Sequence, residues 1–110
     1  MLHKAFVMFF AALALASQGA LAADNEFTLV ILDHKFQPET LNVPARTKIK
    51  LTIENRDATA EEFESHALGR EKVIPAKSSA VIYIGPLQPG NYPFVGEFNE
   101  KTAKGTIVAQ

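Results

Sequence analysis

The sequence predicts an all-β sandwich of about seven short strands. Strand-like runs recur about every ten residues, with turn chemistry between them. One of them, residues 48–54, alternates strictly between polar and apolar side chains. Helical periodicity is nearly absent beyond the first two dozen residues.

Residues 1–22 stand apart from that pattern. A short basic start (His3, Lys4) leads into an apolar run from Ala5 to Ala16 and a small-residue exit, Ala20-Leu21-Ala22. This is the layout of a cleaved secretory signal peptide, leaving one domain over residues 23–110. The apolar run is about 12 residues, short of the roughly 20 that a membrane helix needs. An uncleaved signal anchor is the rival reading of the same segment.

The strands follow in order. Phe27 to Leu32 is nearly continuous in apolar residues, as expected for a strand buried on both faces. Pro38 and Pro44 bracket a short second strand, Thr40 to Val43. In Lys48 to Glu54, Ile49, Leu51 and Ile53 point one way and the polar residues the other, predicting a half-buried antiparallel strand. Phe63 to Leu68 reads as either a strand or a turn of helix. Ser79 to Ile84 is rich in β-branched residues, and Pro89-Gly90 marks a turn before Tyr92 to Phe98. Gly105 to Ala109 closes the series. In the Tyr92 strand, Phe94, Gly96 and Phe98 are expected on one face, with Val95, Glu97 and Asn99 on the other.

Composition removes several function classes. The chain has no Cys, so a disulfide framework, a thiolate metal site and a cysteine nucleophile are all excluded. Both methionines, Met1 and Met8, lie in the leader. The net charge of −1 gives no electrostatic footprint for nucleic acid. No serine carries a nucleophile elbow, and only His34 and His66 lie outside the leader, leaving little scope for a catalytic triad.

The chemistry concentrates in two places. In Glu61-Glu62-Phe63-Glu64-Ser65-His66, an extended backbone puts Glu62, Glu64 and His66 on one face. Neighbours at i and i+2 lie about 7 Å apart, so they converge on one ion only by leaning inward. Oxygen donors with one nitrogen suit iron, manganese or, less selectively, copper and zinc. The plainer reading is a solvated acidic strand anchored in the core by Phe63. Near the C-terminus, Glu97, Asn99 and Glu100, with Lys101 and Lys104 beside them, form a second polar group, for which the plainer and stronger reading is an ordinary hairpin loop with a lysine-balanced surface. His34 is expected to be a surface residue hydrogen-bonded to Asp33.

The order of landmarks then becomes specific. Phe36-x-Pro38 precedes a strand ending Val43-Pro44-Ala45, and an alternating strand runs to Asn55. Leu87-x-Pro89-Gly90-x-Tyr92-x-Phe94 leads into a last hairpin closing on Gly105-x-Ile107-Val108. This pattern resembles the cupredoxins, with their Greek-key β-sandwich, over essentially residues 25–109. The resemblance puts the first histidine ligand of copper-carrying members at Glu61 or Glu62 and their cysteine at Val95. It puts a second histidine at Asn99 and a methionine near Thr102. A blue-copper site depends on a thiolate, so this chain cannot be a blue-copper electron carrier.

Two blocks are similar to the cupredoxin-like proteins of bacterial periplasmic ferrous-iron uptake systems. One is Asn55-Arg56-Asp57 leading to Glu61-Glu62-Phe63-Glu64-Ser65, Leu68 and Glu71-Lys72-Val73-Ile74-Pro75-Ala76. The other is Phe94-Val95-Gly96-Glu97-Phe98 followed by Thr102-Ala103-Lys104-Gly105. The resemblance implies a periplasmic accessory protein that binds iron or copper and assists iron oxidation or hand-over. Its partners would be an iron permease and other uptake components, without nucleic acid and without membrane insertion after leader cleavage. Glu62, Glu64 and Glu97, supplemented by Glu61, His66 and Glu100, are the candidate metal ligands. The alternative is a metal-free sandwich that serves as a protein-interaction module.

Overall fold

The computed structural model describes residues 24–110. The expected leader, residues 1–22, lies outside the described residues. Among the described residues, nine strands form two sheets. They are β1 (Glu26–Leu32), β2 (Lys35–Gln37), β3 (Thr40–Val43), β4 (Ile49–Asn55), β5 (Glu61–Ser65), β6 (Arg70–Ile74), β7 (Ser79–Ile84), β8 (Gly90–Gly96) and β9 (Lys104–Ala109). One sheet has the order β2-β1-β4-β7 and the other β3-β9-β8-β5-β6.

Alternation decides which side chains fill the space between the sheets. Leu29 and Ile31 of β1 and Ile49, Leu51 and Ile53 of β4 come from the four-stranded sheet, all fully buried. Phe63, Ile74, Phe94 and Ile107 meet them from the other side. Phe36, Phe63 and Phe94 form an aromatic trio, with ring centroids 4.9 to 6.2 Å apart. Such edge-on and tilted contacts add to the stabilisation from apolar burial.

Four expectations need correction. Where about seven strands were expected, the sandwich has nine, because β2 and β6 carry weak patterns. The three residues of β2 offer only Phe36 to the core, and β6 is a charged edge strand with only Ile74 buried. Charged residues on an edge discourage pairing with other chains, and they also hide the strand from a hydrophobic pattern. Second, β1 is buried on one face only; Val30 and Leu32 are partly exposed, because among the described residues no third layer covers the sheet. Third, β4 is antiparallel to β7 but parallel to β1. Its alternation reports burial and carries no information on the direction of its neighbours. Fourth, β8 ends at Gly96, and a single 3-10 turn over Glu97–Asn99 replaces the expected extended backbone. Phe98 is consequently turned out, 54% exposed, instead of sharing the inner face with Phe94.

Candidate functional site

The loop leaving β4 is built around two polar side chains. Asn55 is buried, and its amide nitrogen donates to the carbonyls of Thr59 (2.9 Å) and Ile74 (3.0 Å), with Pro75 O at 3.3 Å. Its oxygen accepts from the backbone N–H of Asp57 at 3.0 Å. The Asp57 carboxylate in turn accepts from the N–H groups of Asp33 (2.7 Å) and His34 (2.9 Å). Those two residues form the β1–β2 turn with φ of 55° and 60°, the left-handed conformation that two-residue hairpin turns require. The expectation that Asp33 holds His34 is therefore corrected: Asp57 holds both backbones, and the His34 ring faces Thr59 Oγ1 at 3.5 Å. This bracing fixes where β5 begins.

The first residue of β5 is the buried charged group of the domain. Glu61 is 2% exposed. Its Oε1 accepts from the N–H of Glu62 (3.0 Å) and of Phe98 (2.9 Å), and its Oε2 from the Asn99 amide at 2.7 Å. The carboxyl lies directly under Gly96, where an added Cβ would sit 2.7 Å from Glu61 Cδ and 2.8 Å from Oε2. The turn itself is closed by Asn99 O, which accepts from Thr102 N (3.1 Å) and Ala103 N (2.8 Å). Thr102 Oγ1 donates to the His34 carbonyl at 2.7 Å. The loop after Asn55 and the last hairpin thus meet at one end of the sandwich, as expected.

Period-two alternation splits the predicted ligand set. Glu61, Phe63 and Ser65 face inward, while Glu62 and Glu64 lie on the outer face of the five-stranded sheet. There Glu64 is paired across β5–β6 with Glu71, a residue the sequence reading did not single out. The hairpin register is the signal that identifies it. Both Glu62 and Glu64 titrate above the ordinary glutamate range. Partial burial is the first cause, and the Glu97 carboxyl, which both approach, is the second. Glu71 adds further repulsion on each, and His66 partly offsets it at Glu64. Glu100 is exposed on the loop beyond, and His66 lies just past the end of β5. The six residues therefore form no single constellation. Among the described residues no three His, Cys, Asp or Glu side chains are grouped closely enough to enclose a metal ion. The only ion pair among the described residues joins Arg56 and Glu54 (3.0 Å), so none of these glutamates is held in an ion pair, although His66 offsets part of the repulsion at Glu64 and Lys104 lies on the same face beyond Val95.

A family model described as the cupredoxin-like domain matches residues 5–109. The chain belongs to that family. A protein of Rickettsia prowazekii of uncharacterized function is 48% identical over 83 residues, covering 76% of this chain and 66% of its own length. This chain thus spans just under two thirds of that relative. Among solved structures, the dithionite-reduced auracyanin of Roseiflexus castenholzii superposes with a TM-score of 0.66 at 14% identity, over 81% of this chain and 99% of that one. Auracyanin A, a "blue" copper protein of Chloroflexus aurantiacus, gives 0.67 at 10% identity over 77% and 98%. A reduced amicyanin variant gives 0.64 at 18% identity over 81% and 86%. At these identities the structures establish the cupredoxin-like fold alone.

Copper is the metal this fold implies, and the residues here do not fit it. The inward positions at the end of the sandwich offer a carboxylate, an amide and a glycine, with no thiolate, imidazole or thioether. Both Glu61 oxygens are already engaged by N–H donors. Of the two residues matched to the first histidine, Glu61 faces in and Glu62 faces out. The cysteine match needs correcting: Val95 lies on the outer face, opposite Glu64 and Lys104, and Gly96 is the inward residue that abuts Glu61.

Proposed function

We propose that this cupredoxin-like protein is a periplasmic accessory component of ferrous-iron uptake, acting beside an iron permease through the acidic outer face of its five-stranded sheet. The observation supporting this reading is the mutual approach of Glu62, Glu64, Glu71 and Glu97 at that face, none of them in an ion pair. Their mutual repulsion is relieved by a bound cation. Carboxylate oxygens suit iron in open coordination far better than they suit Cu(I). An open face holds an ion loosely and leaves coordination positions free for the next component, which favours hand-over. The iron, permease and periplasm assignments draw on the two sequence blocks similar to iron-uptake members, and the export assignment draws on residues 1–22.

The test is an anaerobic titration of the purified protein with ferrous iron and, separately, with copper(II), beside a Glu62→Gln, Glu64→Gln, Glu97→Gln variant. Weak binding of ferrous iron that the triple variant loses is the expected result. Equal binding by both proteins overturns the proposal.

A second reading is a metal-free interaction module, and Val73 favours it. This residue is 48% exposed and sits directly across from Glu62, so the acidic face also carries an apolar anchor. Retention of an uptake component on the immobilised protein, unchanged by a chelator and lost in Val73→Lys, selects this reading over the first.

A further inference from the structure

The mismatch with copper has a structural counterpart. We infer that Glu61 performs the tying function that a metal would perform at this end of the sandwich, so that a carboxylate–amide lock holds β5 to the loop after β8 with no metal requirement. The inference goes beyond the iron-uptake reading and does not depend on it.

Three observations carry it. Glu61 joins segments 37 and 38 positions apart in sequence through Phe98 N and Asn99 Nδ2. A third donor, Glu62 N, completes the set, so a carboxylate that is 2% exposed is compensated entirely by N–H groups. A buried charged group without such partners is strongly destabilising. Finally, the carboxyl has the room it needs only because residue 96 has no side chain. An added Cβ there would meet Glu61 and also Ala103 Cβ at 2.7 Å. Glu61, Gly96 and Asn99 are thus one complementary unit: the glycine supplies the space, the glutamate fills it, and the asparagine closes it. The lock also sets the course of the 3-10 turn that displays Phe98.

Amide hydrogen exchange and thermal melting of the purified protein test the lock, with Glu61→Gln, Glu61→Ala and Asn99→Ala as variants. Gln keeps the shape but loses the charge that strengthens all three bonds, and it sets a donor against Asn99 Nδ2 until that amide turns over. Exchange at the Phe98 amide is expected to accelerate about 10-fold or more in both Glu61 variants. The melting temperature of Glu61→Ala is expected to fall by on the order of 10 °C. Should Glu61→Ala fail to fold, Asn99→Ala, which removes one donor and leaves the carboxylate, is expected to show faster Phe98 exchange with a smaller loss of melting temperature. Copper(II) and EDTA are expected to leave the wild-type melt unchanged. Unaltered Phe98 exchange in Glu61→Gln and Asn99→Ala overturns the inference. So does a copper-induced rise in melting temperature that Glu61→Gln abolishes.

Discussion

Glu64 stands directly across from Glu71 in the β5–β6 ladder, on a face that also bears Glu62. Like charges in that relationship are destabilising; the raised pKa values of Glu62 and Glu64 come first from burial, then from Glu97, with Glu71 adding to both. Between the ordinary glutamate value and the raised one, the folded chain binds more protons than the unfolded chain. Stability therefore falls as pH rises through that window and stays lower above it. Thermal melts between about pH 4 and pH 7 are expected to show this decline in the wild type. In Glu62→Gln, Glu64→Gln the decline should flatten, with higher stability at neutral pH. A double variant that is less stable than wild type at neutral pH contradicts the account.

The turn at Asp33-His34 depends on Asp57 from a distant loop. Asp57→Ala removes a carboxylate acceptor from two backbone N–H groups. Hydrogen bonds to charged groups contribute roughly 1.5–3 kcal/mol, and exposure places this pair near the lower end. Urea denaturation should report a loss of about 2 kcal/mol. Asp57→Asn, which keeps one acceptor, should lose less.

Asn55 is a buried polar side chain that bridges its own loop to the end of β6. Asn55→Ala leaves the Thr59 and Ile74 carbonyls short of a donor and the Asp57 N–H short of an acceptor. The expected destabilisation is about 3 kcal/mol by equilibrium denaturation. Asn55→Leu, of similar size, should be no better, since the carbonyls remain buried without partners.

Phe63 is fully buried and packs against Phe94 and Phe36 in the aromatic trio. Phe63→Ala opens a cavity between the sheets and should lower stability by roughly 3–5 kcal/mol. Phe98→Ala, by contrast, removes a ring that is 54% exposed. Its effect on stability should stay within about 0.5 kcal/mol, as for other surface positions. A large loss at Phe98 would show that the ring is packed against the core.

Much of the sandwich was legible in the residues. The alternation of Ile49, Leu51 and Ile53 identified the core face of β4, and Phe63 was the core anchor expected of an acidic strand. The strands Lys35–Gln37 and Arg70–Ile74, one in each sheet, were not legible, because each places one apolar side chain in the core and leaves no pattern to read. For the candidate site, the segment 61–66 was found, and so was the meeting of its loop with the last hairpin. Its division between two faces became visible only once β5 was known to start at Glu61, since a shift of one residue exchanges every side chain between core and solvent.

The sequence alone determined the all-β class, the absence of a thiolate and the resemblance to cupredoxins, because composition and period are local properties. Tertiary structure decided what the acidic segment does. Sheet register set Glu64 against Glu71, and the 3-10 turn that ends β8 brought Asn99 onto Glu61 across 38 positions of chain. No local pattern encodes which face of a strand an ion, a donor or a void will occupy. That choice follows from how two sheets close on each other, and here it put one glutamate inside the fold and its neighbours on the surface.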